Sequence, residues 1–255
     1  MKALITGASS GIGKDMAYYL SSMDCDLIIV GRNINALNSL KNDLKTNVKI
    51  IEMDLSVKEN VYKLYEETKK DNVDILINNA GFGLFGNFYE TSLDKELDMI
   101  NLNIIAVHIL TKLFLSDFIR RNSGYILNVA SSAGFMAGPK LSTYYSTKNY
   151  VLKQTLAIYE ELRQIDSNVS VSCLCPGPVD TNFNNVAGGS FNTKSLSSKY
   201  VAKYGIDMML KNKLIIIPSL KMKLAVFFTR FVPTKLLLKI NYNIQNTKIK
   251  NSSKK

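Results

Sequence analysis

Short apolar runs alternate with longer helical patterns along this chain, and no other feature limits its fold as strongly. The runs that predict strands cover residues 3–6, 27–30, 48–51, 75–78, 125–129, 169–174 and 214–217. Helical patterns lie between them, among others over residues 12–22, 57–70 and 93–122. Near-continuous apolar strands are typical of a sheet that is covered on both faces. We therefore predict an α/β fold, a doubly wound parallel sheet of about seven strands in a single domain.

The composition is that of a globular protein in a reducing compartment. Of the 255 residues, 46% are hydrophobic and 21% are charged, which argues against disorder. The 3 cysteines show no CxxC spacing, so we expect free thiols and a cytoplasmic location. The single histidine, His108, excludes a metal site built from several histidines. We expect neither a signal peptide nor a membrane-spanning helix, because no stretch of about 18 residues is predominantly apolar.

The positive charge is concentrated at the C-terminal end. The net charge is +11, yet residues 1–193 hold 18 basic and 20 acidic residues, whereas residues 194–255 hold 14 basic residues and Asp207 alone as an acid. We predict that residues 1–218 form the catalytic domain, with a substrate loop at about 182–211. Residues 219–255 would form a basic amphipathic extension.

A glycine-rich turn follows the first strand. It reads Thr6-Gly7-Ala8-Ser9-Ser10-Gly11-Ile12-Gly13, and a helical pattern comes next. Glycines allow a pyrophosphate to approach the backbone, and a helix N-terminus offers N–H donors to it. The same residues contain G-x-S-x-G, the pattern of a serine hydrolase in which Ser9 would be the nucleophile. That alternative needs His108 as the base, but His108 lies in an apolar helical run typical of a core or an interface.

The residue after the second strand indicates which dinucleotide would bind. An acidic residue there accepts a hydrogen bond from the ribose 2′-OH of NAD, whereas an arginine accommodates the 2′-phosphate of NADP. The strand is followed by Gly31-Arg32-Asn33, without a carboxylate. Arg32 therefore favours NADP(H).

Four polar residues downstream form a pattern suited to proton transfer. Tyr144 and Lys148 are four residues apart in a helical stretch, so both lie on one helix face. A nearby ammonium group would lower the tyrosine pKa, which suits general acid–base work. Ser131 lies just past a strand end, where a parallel sheet presents its ligand groups. Asn103 occupies a helix interior, where asparagine is intrinsically disfavoured.

Taken in order, these motifs resemble the classical short-chain dehydrogenases/reductases, from residue 2 to about residue 181. The resemblance rests on the glycine turn, Asp54, Asn78-Asn79-Ala80-Gly81, Asn103, Ser131, Tyr144, Lys148 and Pro176-Gly177-Pro178-Val179-Asp180-Thr181. It implies a Rossmann-type fold. It also implies that Tyr144 is the general acid and base, that Lys148 lowers its pKa and holds the nicotinamide ribose, and that Ser131 orients the carbonyl. Asn103 would support a proton relay; Asn101 and Tyr145 are the competing positions for Asn103 and Tyr144.

The resemblance also implies a set of cofactor-binding residues. They are Thr6, Gly7, Ser9, Ser10, Gly11, Ile12, Gly13, Arg32, Asp54, Leu55, Asn79, Ala80, Gly81, Tyr144, Lys148, Pro176, Gly177, Val179 and Thr181. Asn78 would line the adenosine side.

We therefore predict an NADP(H)-dependent oxidoreductase that transfers hydride between the nicotinamide and a ketone or secondary alcohol, and that forms a homodimer or homotetramer. The alternatives are a catalytically idle dinucleotide-binding protein and the serine hydrolase. Apolar residues at Leu220, Leu224, Phe227, Phe228 and Phe231 predict an amphipathic helix in the basic region. That helix would be a core helix or subunit interface, or a peripheral contact with an anionic membrane, in which case the substrate would be apolar or lipid-like. We expect no nucleic acid as a partner.

Overall fold

The computed structural model describes residues 1–183, Ala187 and residues 195–252. Its strands are β1 Lys2–Thr6, β2 Asp26–Gly31, β3 Val48–Glu52, β4 Ile75–Asn78, β5 Tyr125–Val129, β6 Ser170–Leu174, β7 Val179–Asp180, β8 Leu196–Ser197 and β9 Ile215–Ile216. Its helices are α1 Gly11–Ser21, α2 Ile34–Asp43, α3 Lys58–Thr68, α4 Leu93–Ile100, α5 Val107–Arg120, α6 Ser142–Gln164, α7 Ser198–Leu210, α8 Leu220–Phe228 and α9 Thr234–Ser252. Part of the predicted substrate loop, 184–186 and 188–194, lies outside the described residues.

The predicted doubly wound sheet is confirmed. Seven parallel strands follow the order β3-β2-β1-β4-β5-β6-β9, and β7 pairs with β8 in a separate two-stranded ribbon. The strand order reverses between β1 and β4. The chain first adds β2 and β3 on one side of β1, and then returns to add β4, β5, β6 and β9 on the other side. Ligands bind such sheets in the crevice at the carboxyl ends of these two strands.

Helices cover both faces of the sheet, which explains the continuous apolar strands. In β1, Ala3 and Ile5 pack on the layer of α1, α2 and α7, whereas Leu4 packs on the layer of α3 and α5. Phe114 and Phe118 of α5 are fully buried in the second layer. The fold therefore needs apolar residues at successive strand positions, as the sequence shows.

One continuous helical stretch, Leu93–Arg120, is long and apolar enough by composition to cross a membrane. It includes α4, α5 and a π-helical segment between them, Asn101–Ala106. Its apolar residues Met99, Ile109, Phe114 and Phe118 are buried within the fold. The prediction that no stretch of about 18 residues is predominantly apolar is therefore wrong, although the four buried side chains show that this stretch packs against the rest of the domain.

The chain after residue 218 packs back onto the domain. Met222 and Val226 are the inward residues of α8, and Asn241 and Gln245 are buried on α9. Both helices also contribute to the cavity described next.

Candidate active site

A cavity of about 710 Å³ runs along the carboxyl ends of the strands. All of the predicted cofactor residues line it except Thr6 and Gly13. Ser131, Tyr144 and Lys148 share the same cavity, whereas Asn103 lies behind its wall. The structure thus brings the glycine turn and the predicted catalytic residues into one space.

The glycine turn leaves backbone exposed at the N-terminus of α1. Gly7 and Gly11 have φ angles of +66° and +54°, which favour glycine. A Cβ on Gly7 would lie 2.8 Å from Ala80 Cα, so any larger residue would displace the turn that follows β4. Ser10 precedes the helix without a side-chain cap, and the first turn holds no acidic residue. The helix end therefore offers N–H donors and positive dipole to an anion such as a pyrophosphate.

Thr6 and Gly13 hold this turn together from behind the cavity wall, which corrects their prediction as cofactor contacts. The Thr6 hydroxyl accepts hydrogen bonds from the amides of Asn79 and Ala80, both at 3.0 Å. Asn79 Nδ2 donates to the carbonyl oxygens of Thr6 and Gly7 at 3.0 and 3.1 Å. A Cβ on Gly13 would lie 2.4 Å from Asn79 Nδ2, so glycine is required there for packing.

Asn78 faces into the protein, which corrects its prediction as an adenosine contact. It is buried, and its Nδ2 donates to Thr111 Oγ1 at 3.0 Å and to Asn128 Oδ1 at 2.9 Å. Consecutive residues of a strand point to opposite sides. Asn79 therefore reaches the turn, while Asn78 ties β4 to α5 and β5.

Arg32 and Asp54 stand together at the far end of the cavity. Arg32 Nη1 lies 3.5 Å from Asp54 Oδ2, and 67% of the arginine side chain is exposed. Burial opposes ionisation of Asp54, but hydrogen bonds from Ser56 and the neighbouring Arg32 together keep its pKa below the ordinary value. Ser9 lies beside Gly31, where a Cβ on the glycine would meet Ser9 Oγ at 3.3 Å. An exposed guanidinium and a hydroxyl thus border this end.

Ser131, Tyr144 and Lys148 meet at the opposite end, where β5 terminates and α6 begins. Ser131 caps a short 3-10 turn, Ser132–Phe135, by accepting a hydrogen bond from the Ala133 amide at 3.1 Å. Lys148 is buried, and its Nζ donates to the Val129 carbonyl oxygen at 2.9 Å. The same Nζ lies 5.9 Å from the centre of the Tyr144 ring. The three side chains are therefore fixed by β5, its following turn and one face of α6.

Burial controls the acidity of this pair. It raises the pKa of Tyr144 above the ordinary value, with a smaller opposing effect from hydrogen bonding by the Ser131 side chain. It lowers the pKa of Lys148 to about 8. The sequence predicts a lowered tyrosine pKa, and the structure shows the opposite direction. The reason is that burial penalises the phenolate, while the lysine ammonium is directed at the Val129 carbonyl.

Asn103 holds the chain after β4 in place. It is fully buried in the π-helical segment, where its Oδ1 accepts from the Phe82 amide at 3.1 Å and its Nδ2 donates to the Phe82 carbonyl at 2.9 Å. Its Nδ2 also donates to Thr147 Oγ1 at 3.1 Å. A widened helical turn of this kind frequently marks a functional site. Here it ties the loop after β4 to α6, and Lys148 of α6 reaches Gly81 of that loop, where a Cβ on the glycine would lie 3.4 Å from Lys148 Nζ.

The C-terminal helices complete the cavity, a contribution that sequence reasoning missed. Met222 of α8 and Asn241, Ile244 and Gln245 of α9 line it. Asn241 Nδ2 donates to the Ala137 carbonyl at 2.8 Å, and Gln245 Nε2 donates to the Tyr145 hydroxyl at 2.7 Å. The sequence does hold a signal for this contribution. Asn241 and Gln245 are four residues apart, so both amide side chains lie on one face of a helix.

The serine hydrolase alternative finds no support in this geometry. Ser9 lines the cavity, but His108 does not. His108 is exposed on α5, where its Nδ1 lies 2.7 Å from the Tyr150 hydroxyl and 2.6 Å from Gln154 Nε2. With no histidine beside it among the described residues, Ser9 has no base of the kind that activates a serine nucleophile.

Comparison with known proteins agrees with the arrangement of these residues. The family described as short chain dehydrogenase matches residues 1–189. An uncharacterised oxidoreductase of Staphylococcus epidermidis is 32% identical over 181 residues, which cover 70% of this chain and 78% of that protein. The NADP-dependent 3-hydroxy acid dehydrogenase of Schizosaccharomyces pombe is 31% identical over 188 residues, covering 71% of this chain and 72% of that protein. The chain belongs to the classical short-chain dehydrogenases/reductases.

A solved member of this family has the same fold. The short-chain dehydrogenase of Sphingobium yanoikuyae, solved with NADPH, matches with a TM-score of 0.81 at 27% identity, covering 86% of this chain and 88% of that one. As a short-chain dehydrogenase/reductase, this protein is an oxidoreductase. A nicotinamide dinucleotide fits its cavity, because the open helix end and the glycine cradle suit a pyrophosphate while Arg32 and Tyr144 lie toward opposite ends.

Proposed function

We propose that this protein is an NADP(H)-dependent carbonyl reductase, reversible as an alcohol dehydrogenase. The observation that carries the proposal is one cavity with Ser131, Tyr144 and Lys148 at one end and Arg32 at the other. The names of two relatives support it. One relative is NADP-dependent, and another was solved with NADPH.

The catalytic work divides among three side chains. Bound NADPH supplies the hydride. The Ser131 hydroxyl holds the substrate carbonyl oxygen, and the Tyr144 hydroxyl donates its proton to that oxygen as the alcohol forms. Lys148, anchored to the Val129 carbonyl, keeps a donor group beside Tyr144, and it would hold the nicotinamide ribose of a bound cofactor.

The raised pKa of Tyr144 favours the direction of reduction at neutral pH. The phenol keeps its proton there, and the protonated form is the one that reduction consumes. Oxidation of an alcohol needs the phenolate, whose population grows as the pH rises. We therefore infer that oxidation is the reaction that accelerates toward alkaline pH.

Arg32 supports the choice of NADP(H). Its guanidinium is exposed, it borders the cavity, and the carboxylate of Asp54 holds it there. A 2′-phosphate would add charge-assisted hydrogen bonds to this guanidinium. The 2′-hydroxyl of NAD(H) would meet no carboxylate directly after β2.

The substrate side of the cavity is mostly apolar and carries one free acceptor. Met136, Leu141, Met222 and Ile244 line it. Gln245 Oε1 has no hydrogen-bond partner among the described residues, but it is buried beneath the cavity surface, so the side chain would have to rotate to present it to a substrate. Arg32 and Lys148 are the basic side chains among the described residues of the cavity wall. We infer that the substrate is an apolar ketone with a hydroxyl or amide N–H that meets Gln245, rather than an anion.

A substrate panel tests this function. Consumption of NADPH is followed with matched pairs of apolar ketones, one member of each pair carrying a hydroxyl group, and NADH is run in parallel. Turnover with NADPH and preference for the hydroxylated member are expected. Binding of NADPH without turnover of any ketone would instead indicate an idle dinucleotide-binding protein.

We also propose a cytoplasmic homodimer or homotetramer. The three free, buried cysteines fit a reducing compartment. Exposed apolar side chains on α5 and α6, such as Ile119 and Tyr159, fit a helical subunit interface. Analytical ultracentrifugation tests the assembly, and a purely monomeric protein would contradict it.

A further inference from the structure

The helix α8 places its large apolar residues on the outside. The domain is contacted mainly by Met222 and Val226, which are four residues apart. Leu220 and Phe231 are each 71% exposed, and Leu224, Phe227 and Phe228 are each at least half exposed. An ordinary surface helix has the reverse pattern, with its apolar stripe toward the core. The apolar stripe predicted from the sequence therefore exists, but it faces solvent.

The exposed rings form a compact surface. The Phe227 ring centre lies 5.5 Å from that of Phe228 and 5.4 Å from that of Phe231. These three residues, together with Leu220 and Leu224, are called the apolar face below. Clustered exposed apolar groups of this kind mark a binding surface, whereas scattered single residues do not.

The charge around the apolar face has one sign. Residues 211–255 contain 11 lysines and arginines and no acidic residue. Lys221 and Lys235 are exposed on α8 and α9, and Arg230 is exposed between the two helices. Phenylalanine and leucine flanked by basic residues suit the surface of an anionic bilayer, where rings enter the interface and ammonium groups meet the headgroups.

We propose that the apolar face docks this protein onto an anionic lipid bilayer. A second copy of the chain is a poorer occupant. In a two-fold interface the same surface meets itself, so the basic residues of one subunit would lie against those of the other without an acid from residues 211–255 to offset them.

Docking at this face would bring the substrate cavity near the lipid. Met222 sits on the inner side of α8 and lines the cavity. Ile244 of α9 also lines the cavity and is 48% exposed, which puts it at the rim. Leu236 and Ile240 continue its exposed row along α9 at intervals of four residues. An apolar ketone dissolved in the bilayer could pass from the lipid to the cavity beside these two helices.

Vesicle co-sedimentation of the full-length protein tests the proposal. The protein should pellet with phosphatidylcholine vesicles that contain phosphatidylglycerol, should release at high salt, and should stay in solution with phosphatidylcholine alone. Lys221→Glu combined with Lys235→Glu should weaken binding at least about 25-fold, since loss of one basic residue costs about fivefold and each glutamate adds repulsion from the anionic headgroups. Lys95→Glu combined with Lys112→Glu changes the net charge equally at exposed positions elsewhere, and should bind at least ten times better than the first variant.

A second pair of variants tests the apolar contribution. Phe227→Ser with Phe231→Ser should weaken vesicle binding by about tenfold or more. Tyr62→Ser with Tyr89→Ser removes exposed aromatic rings from α3 and from the segment before α4, and should bind normally. Each variant is first shown to bind NADPH and to unfold at the same temperature as the unmodified protein.

Two results would overturn the proposal. The first is failure of the unmodified protein to pellet with anionic vesicles at low salt. The second is a smaller oligomer for the Phe227→Ser and Phe231→Ser variant with vesicle binding unchanged, because the apolar face would then be a subunit interface.

Discussion

At the scale of single residues, burial affects Tyr144 and Lys148 in opposite directions. It keeps the phenol protonated, and it favours loss of a proton from the ammonium group. The phenol is therefore stored in the form that reduction uses. The lysine is retained in a place that does not suit its charge, which indicates a role other than stability.

Replacement of Tyr144 tests the assignment of the acid. Tyr144→Phe should reduce turnover by about 10² or more, because a positioned proton donor contributes on that scale. Affinity for NADPH, measured by fluorescence titration, should change little. Tyr145→Phe is the matched control, since Tyr145 also lines the cavity but is bonded to Gln245. Equal loss of turnover in the two variants would show that the acid is assigned wrongly.

Replacement of Lys148 should stabilise the fold while it abolishes activity. The pKa of Lys148 is about 8 in the folded protein against an ordinary value of 10.5. Below about pH 8 the lysine is charged in both the folded and unfolded states, so the folded state bears the full penalty of burying the charge. Between pH 8 and 10.5 the folded protein loses the proton while the unfolded chain keeps it, so the penalty falls steadily and is gone above about pH 10.5. Lys148→Met should therefore raise the free energy of unfolding by up to about 3 kcal/mol at neutral pH.

Urea unfolding, measured from neutral pH to above pH 10, gives the free energy of unfolding of Lys148→Met and of the unmodified protein. The advantage of Lys148→Met should shrink as the pH rises through the interval between 8 and 10.5. Lys153→Met, an exposed neighbour on the same helix, should show no such pH dependence. A variant less stable than the unmodified protein at neutral pH would mean that the bond to Val129 outweighs the burial penalty.

At the scale of secondary-structure elements, the turns at the carboxyl ends of the strands differ in the roles that we assign to them. The β1–α1 turn, clamped by Thr6 and Asn79, forms the cradle for the dinucleotide. The turn after β5 and the first turns of α6 supply the proton-transfer groups. The helix α9 contributes Asn241, Ile244 and Gln245 to the wall on the proposed substrate side.

Replacement of Gln245 tests the role of α9. Gln245→Leu keeps a side chain of similar size but removes the acceptor. It should lower kcat/KM about twofold to tenfold for ketones with a suitably placed hydroxyl group, the usual scale of one hydrogen bond. Ketones without that group should be unaffected or reduced faster, and the affinity for NADPH should stay constant. An equal loss with both kinds of ketone would assign Gln245 a structural role only.

The elements themselves were largely predictable from the sequence. Strands β4 and β5 begin and end where the apolar runs predict. The run 214–217 yields only Ile215–Ile216 as β9, because this strand forms the edge of the sheet and pairs with Cys173 and Leu174 alone. The π-helical segment was not predicted, since a widened turn depends on the contact between Asn103 and Phe82.

Tertiary contacts account for the rest of what the sequence did not predict. In residues 220–231 periodicity shows two apolar faces, and it cannot tell which of them packs on the domain. Thr6 and Asn78 bear polar groups near the site, but only the packed fold shows that they face away from the cavity. The raised pKa of Tyr144 likewise depends on burial, which no spacing of residues records.

At the scale of the whole molecule, cofactor binding should raise global stability. A ligand that binds only the folded state stabilises it by RT ln(1 + [L]/Kd). If Arg32 meets a 2′-phosphate, NADPH should raise the Tm more than NADH at equal concentration. Arg32→Ala should remove most of this difference, which corresponds to a loss of affinity for NADPH of about tenfold to a hundredfold.

Differential scanning fluorimetry with NADPH and with NADH measures these shifts of Tm. Arg120→Ala is a suitable control, because Arg120 is an exposed arginine on α5 that does not border the cavity. Equal shifts of Tm by NADPH and NADH in the unmodified protein would rule out a preference for NADP(H).

The placement of the substrate wall at the end of the chain has a consequence for how this enzyme could diversify. The residues that handle the cofactor and the proton come from the first three quarters of the sequence, whereas Met222, Asn241, Ile244 and Gln245 come from the remainder. Mutations in that remainder can change which substrate the proposed wall admits, while the residues to which we assign the cofactor and the proton are inherited intact. Gene duplication followed by drift of this one segment would be enough to produce enzymes with new substrates. A domain fused behind α9 could alter selectivity in the same way, before any loss of chemical competence.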